Sequence, residues 1–125
     1  MDSVKFFINK DYDYYSSKKA SSIEMCILGR FLTDDVGFRS STFKRYVFND
    51  RQQYTSANAT TLEKQNGCIL LSDQCSEEET PTQLKMSRDQ FIKLLDDWEE
   101  KVCKLKPKEV VIKHENDEFT IETKD

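Results

Sequence analysis

The sequence predicts an α+β fold in one domain over residues 1–125: a small, mostly antiparallel sheet packed by a long amphipathic helix in the C-terminal half, with a β-hairpin after it. Three observations carry this prediction. Residues 87–105 repeat apolar side chains at helical spacing behind a reciprocal capping sequence, Pro107 separates them from two alternating runs, and Asn66-Gly67 lies between two further strand-like runs. A chain of 125 residues suits one core and is short for two. Eight Phe and five Tyr furnish that core, while a charged fraction of 34% solvates the exterior, so disorder along the whole chain is disfavoured.

Taken in order, residues 4–8 form a short apolar run that reads as an opening strand. Residues 9–18 are polar and tyrosine-rich and read as a loop or a short helix. Residues 23–32 set Ile23, Met25, Ile27 and Phe31 against Cys26, Leu28 and Leu32, so both faces are apolar and a central strand covered on two sides is expected, with Gly29 marking a bulge. Asp34, Asp35 and Gly37 read as a turn, and 43–48 as another strand carrying Lys44 and Arg45.

The Asn66-Gly67 signal is the stronger one. A two-residue type I′ turn needs positive φ at both positions, and Asn and Gly tolerate it at low cost. Counting outward through 60–65 and 68–73 pairs Lys64 with Ile69 and Leu62 with Leu71. A polar loop over 75–83 follows. At Ser87-Arg88-Asp89-Gln90 the serine can accept from a free backbone N–H while the glutamine reaches back. Phe91, Leu94, Leu95, Trp98, Val102 and Leu105 then bury one stripe, and Lys101, Lys104 and Lys106 suit the negative end of the helix dipole. Residues 110–114 and 119–123 alternate around an Asn116-Asp117 turn, which sets His114 against Phe119 and Ile112 against Ile121, with Lys113 and Glu122 on the other face.

Charge is unevenly placed. The net charge is -4, but residues 38–51 carry +3 and residues 72–100 carry -6. A concentrated acidic field attracts cationic partners and is a poor surface for nucleic acid. Cys26, Cys68, Cys75 and Cys103 are widely spaced without a C-x-x-C pair, and His114 is the one histidine, so neither a zinc site nor another metal or cofactor is expected. Residues 1–10 do not read as a signal peptide and no stretch has the length of a membrane span, so a cytoplasmic protein with reduced thiols is expected and the Asn58-Ala59-Thr60 triplet reads as accidental.

Catalytic constellations are thinly specified. Cys26, Cys68 and Cys103 lie in apolar patterns that fit packing better than nucleophilic chemistry, and no motif names an acid or nucleophile for His114. Asp117, Glu122 and Lys124 give only a loose version of a metal-dependent nuclease strand, and the three glycines exclude a phosphate-cradling loop. Two features point to binding. Asp11-Tyr12-Asp13-Tyr14-Tyr15 mixes acids with large rigid aromatics. The acids Asp73, Glu77, Glu78 and Glu79, with Asp96, Asp97 and Glu100 on the outer side of the helix, could meet a basic partner.

The stretch Met86-Ser87-Arg88-Asp89-Gln90-Phe91-Ile92-Lys93-Leu94-Leu95-Asp96-Asp97-Trp98, followed by Lys106-Pro107-Lys108-Glu109-Val110-Val111-Ile112 and the closing hairpin, resembles the C-terminal part of small bacterial immunity proteins. These accompany polymorphic or contact-dependent growth-inhibition toxins. The resemblance implies a cytoplasmic protein that binds one cognate toxin domain, commonly a nuclease, and blocks its active site or substrate path. It implies no catalytic residue and transfers no fixed binding motif, so the candidate contacts are the twelve acidic and aromatic residues just named. A basic toxin that grips nucleic acid would meet their negative charge as it meets phosphate, with the chain acting as a monomer in a 1:1 complex. The alternatives are a non-catalytic adaptor or assembly subunit joined through residues 12–15 and, in third place, a small enzyme using His114 with a cysteine or carboxylate.

Overall fold

A computed structural model of the chain describes residues 2–9, 14–37, 39–73 and 82–124, with the backbone alone for 8, 9 and 14–18. Its strands divide between two four-stranded antiparallel sheets, and its helices run between them. The first sheet has the order β2-β1-β7-β8, built from β1 (Asp2–Asn9), β2 (Tyr14–Ala20), β7 (Glu109–Glu115) and β8 (Glu118–Lys124). The second has the order β3-β4-β5-β6, from β3 (Tyr54–Ser56), β4 (Thr60–Gln65), β5 (Cys68–Asp73) and β6 (Gln83–Ser87). The α+β class therefore holds, with two sheets where one was expected.

Helices α1 (Ile23–Arg30) and α3 (Arg88–Trp98) each touch strands of both sheets, while α2 (Ser40–Phe48) packs on α3. Val4 and Phe6 of β1, Val110 and Ile112 of β7, and Phe119 and Ile121 of β8 face these helices from one side. Leu62, Ile69, Leu71, Leu84 and Met86 face them from the other, and all join a single buried cluster. Removing such side chains from water is the main stabilising term, about 2 kcal/mol for each large apolar group.

Both predicted hairpins form in the predicted register. Leu62 lies opposite Leu71 and Lys64 opposite Ile69, around Asn66 at φ 50° and Gly67 at φ 76°. Ile112 lies opposite Ile121 and His114 opposite Phe119, around Asn116 at φ 53° and Asp117 at φ 61°. The capping of α3 is also as read: Ser87 Oγ accepts from Gln90 N at 3.1 Å and Gln90 Oε1 accepts from Ser87 N at 2.8 Å.

Elsewhere the structure corrects the sequence reading. Residues 23–32, expected as a strand, form α1 and continue into a π-helical segment, Phe31–Val36. Ser22 caps α1 by accepting from Met25 N at 3.2 Å. Helix α1 buries Met25, Ile27 and Leu28 but leaves Ile23 at 64% and Cys26 exposed, so its apolar residues are not confined to one stripe and over ten residues look like a strand apolar on both faces. Gly29 is accordingly a buried helical residue and marks no bulge, and Asp34 and Asp35 belong to the π-helical segment. Gly37 alone ends the run, at φ 51° and ψ -113°, a conformation that glycine adopts without the penalty a side chain would bring.

Residues 43–48 were also expected as a strand and lie in α2. Ser40, Phe43, Tyr46 and Val47 are buried at helical spacing, and packing on α3 overrides the strand preference of aromatic residues. Within the tyrosine-rich stretch, residues 14–20 form β2, an edge strand whose pairing with β1 supplies the order its polar sequence did not announce. Gln83, assigned to a loop, begins β6, where Leu84 and Met86 point inward and Lys85 outward.

Helix α3 ends at Trp98 and passes into a second π-helical segment, Glu99–Cys103. That wider turn keeps Val102 buried but rotates Leu105 off the stripe, leaving it 69% exposed. Asp35 joins the helical layer to the second sheet. Its carboxylate accepts from Ala59 N at 2.9 Å, from Thr60 N at 3.1 Å and from the Thr60 hydroxyl.

Replacing Asp35 with Ala leaves these donors without a charged acceptor and should lower unfolding stability by about 2 kcal/mol, with Asn recovering part of it. A urea midpoint unchanged in Asp35→Ala would contradict that role. The Ser87→Ala variant should lose about 1 kcal/mol, the usual contribution of an N-cap side chain. Thermal denaturation followed by circular dichroism measures it.

Candidate partner-binding surface

With Phe91, Leu94, Leu95 and Trp98 committed to the core, the remaining side of α3 is turned outward. Asp96 and Glu100 are exposed there one turn apart, with Asp97 half-buried beside them. Their rigidity comes from below. Trp98 is 1% exposed, meets Phe6 of the first sheet edge-on at 5.5 Å between ring centroids, and donates its indole N–H to the Gly37 carbonyl at 2.8 Å. Cys103 Sγ donates to the same carbonyl at 3.4 Å, and burial together with nearby Glu99 pushes its thiol pKa up to about 11, so it is a packing group with little thiolate character.

Helix α2 runs antiparallel to α3 along this surface. At one end Lys44 pairs with Asp96 and, at 3.6 Å, with Glu99. The hydrogen bond to the Asp96 carboxylate is the largest influence raising the Lys44 pKa, and the charges of Asp96 and Glu99 add to it, while burial opposes. At the other end the Arg88 guanidinium lies 4.8 Å above the ring of Phe48, which is 60% exposed. Behind it Lys64 donates to the Asn49 carbonyl at 2.7 Å and lies 4.4 Å from the Tyr46 ring centroid. Burial lowers the Lys64 pKa and Arg88 lowers it further, against the opposing pull of Asp50. Tyr46 donates to the Gln53 carbonyl at 2.7 Å, and burial, with Glu63, pushes its hydroxyl up to about 12.

The predicted contact residues are thus placed unevenly. Asp96, Asp97 and Glu100 share one face. Asp96 and Glu100 are engaged within the chain, Glu100 with Lys104 at 2.6 Å. Asp73, at the end of β5, pairs with Arg30 at 3.0 Å and so belongs to the end of α1. Asp11, Tyr12, Asp13, Glu77, Glu78 and Glu79 lie outside the described residues, and Tyr14 and Tyr15 are placed by their backbone in β2. Sequence reasoning misses Phe48 as a neighbour of Arg88 and Lys44 as a neighbour of Asp96, because the pattern of 43–48 favours a strand. The signal that could have found them is the i, i+3, i+7 spacing of Ser40, Phe43 and Val47.

His114 stacks flat on Phe119, with 4.2 Å between ring centroids and 4° between planes. It lines an open groove of about 610 Å³ with Cys68, Lys85, Gln90 and Asp117, and Gln90 Nε2 closes one side by donating to the Asp117 carbonyl. Among the described residues, no hydrogen bond joins the imidazole to a thiol or a carboxylate, and no group of three or more His, Cys, Asp or Glu side chains is placed to hold a metal ion. No described helix is long and apolar enough to cross a membrane. Compared with known protein families, curated proteins and solved structures, the chain matches none.

Proposed function

We propose that this chain is an immunity protein that neutralises a cognate bacterial toxin domain, a basic nuclease, by covering its active site or substrate path in a 1:1 complex. The observation that carries the reading is the acidic C-terminal end of the helical run, where Asp96 and Asp97 at the end of α3 and Glu100 at the start of the π-helical segment flank Trp98, which is anchored in the core. Binding by a pre-set face loses little conformational entropy. The ion pairs already present do not close the face. Asp96 and Glu100 remain 52% and 63% exposed, and pairs so exposed are weak enough to exchange for a partner's lysines and arginines.

Calorimetry with a toxin domain whose gene adjoins that of this chain tests the proposal: a 1:1 complex tighter than about 1 μM is expected, and absence of heat at tens of micromolar would remove the reading. The double variant Asp97→Lys with Glu100→Lys spares the Lys44–Asp96 contact. It should slow association by about tenfold or more at low salt and flatten the salt dependence, measured by stopped flow. Equal rates for variant and parent would exonerate this face.

A further inference from the structure

Each sheet ends in two edge strands, and an edge strand carries a row of unpaired backbone groups that invites another strand to add. Three of the four edges are blunted by their own geometry. β3 has three residues, β2 meets β1 through a register shift, and β6 has five residues with its Ser87 N–H already bonded to Gln90 Oε1. β8 differs, because its seven residues pair with β7 without a shift. The two-residue turn makes Glu115 and Glu118 the first hydrogen-bonded pair, so the alternation of an antiparallel ladder turns the N–H and C=O of Phe119, Ile121 and Thr123 away from β7. Lys101, from the π-helical segment Glu99–Cys103, reaches the middle of that row and donates its ammonium to the Ile121 carbonyl at 3.3 Å.

The strand this edge fits is β8 of a second copy. Laid antiparallel about a two-fold axis at Ile121, it would exchange backbone hydrogen bonds at Ile121 and between Phe119 of each copy and Thr123 of the other. The same register sets Glu118 of one copy opposite Lys124 of the other, both exposed, so opposite charges meet at each end of the pairing. Within one copy Glu118 lies opposite another acid, Glu115, and Lys124 lies opposite Glu109, which Lys5 already engages at 3.0 Å. Sliding the second strand by two residues in either direction would set Glu118 against Glu122, or Glu122 against itself, and like charges disfavour both. We propose that Lys101 is a guard that keeps β8 from adding a strand, and that the strand it excludes is β8 of a second copy, paired about Ile121. An incoming strand must pull the ammonium from its acceptor and cover a cation that faces water, which disfavours addition at the centre of the row. The inference does not rest on the toxin reading.

Sedimentation equilibrium of the full chain at low salt, from a few to several hundred micromolar, tests it. The parent should stay monomeric, and so should Lys101→Arg, whose guanidinium can donate to the same carbonyl. Lys101→Met, which keeps an apolar stem and removes the ammonium, should dimerise. A seven-residue edge offers far less than the roughly 800 Å² per partner of a stable complex, so the expected dissociation constant is on the order of 100 μM. Adding Thr123→Pro to Lys101→Met removes one outward N–H without touching the ladder to β7, and should return the monomer with an unchanged circular dichroism spectrum. Adding Glu118→Lys instead should weaken the dimer at least tenfold, and a further Lys124→Glu should restore it, because opposite charges then face each other again. A parent that dimerises, a Lys101→Met variant that stays monomeric at several hundred micromolar, or a dimer indifferent to Thr123→Pro would overturn the proposal.

Discussion

The position of Trp98 is the constraint on which the rest of the structure depends. Its ring is buried against Phe6 of the first sheet, and its N–H satisfies the carbonyl of Gly37, the residue that ends the α1 and π-helical run. One side chain therefore ties α3 to a sheet and to the preceding helical layer at once. A buried indole N–H without an acceptor would cost about 1–3 kcal/mol, so the Gly37 carbonyl meets a polar requirement of the core's largest filler.

From that joint the neighbouring packing follows. Phe31 meets Phe43 edge-on at 4.9 Å and Phe91 at 5.8 Å, so the π-helical segment is the contact through which α2 and α3 share one apolar centre. Asp35, on the same segment, reaches outward to hold the start of β4. The segment thus has an apolar side and an acceptor side. The wide turn that separates it from regular α-helix allows both demands to be met over six residues.

The outer face costs the fold little. Its ion pairs are largely solvated and contribute no more than about 1 kcal/mol each, so charge there is free to serve recognition. The first sheet shows the same economy on its far side, where Lys5 pairs with Glu109 at 3.0 Å and Lys113 with Glu122 at 2.8 Å. What distinguishes the α2–α3 face is the exposed ring of Phe48 under the Arg88 guanidinium; its charges, like those on the sheet, pair locally, Lys44 with Asp96 and Glu99 and Lys104 with Glu100.

By itself the sequence determined the features whose cause is local. Asn66-Gly67 and Asn116-Asp117 force their turns through backbone conformation, and the registers of β4 with β5 and of β7 with β8 follow by counting. Ser87 and Gln90 cap α3 through bonds three residues apart, and the apolar stripe of Phe91, Leu94, Leu95 and Trp98 states which side is buried. The tertiary structure decided what depends on neighbours distant in sequence. Residues 23–32 are a helix because sheets cover them on two sides, and residues 40–48 are a helix because α3 offers a surface for Phe43 and Val47. Division into two sheets, and the meeting of Phe48 with Arg88 and of Lys44 with Asp96, were settled by long-range packing. Interactions across 40 or more residues leave no periodicity in the chain to be read.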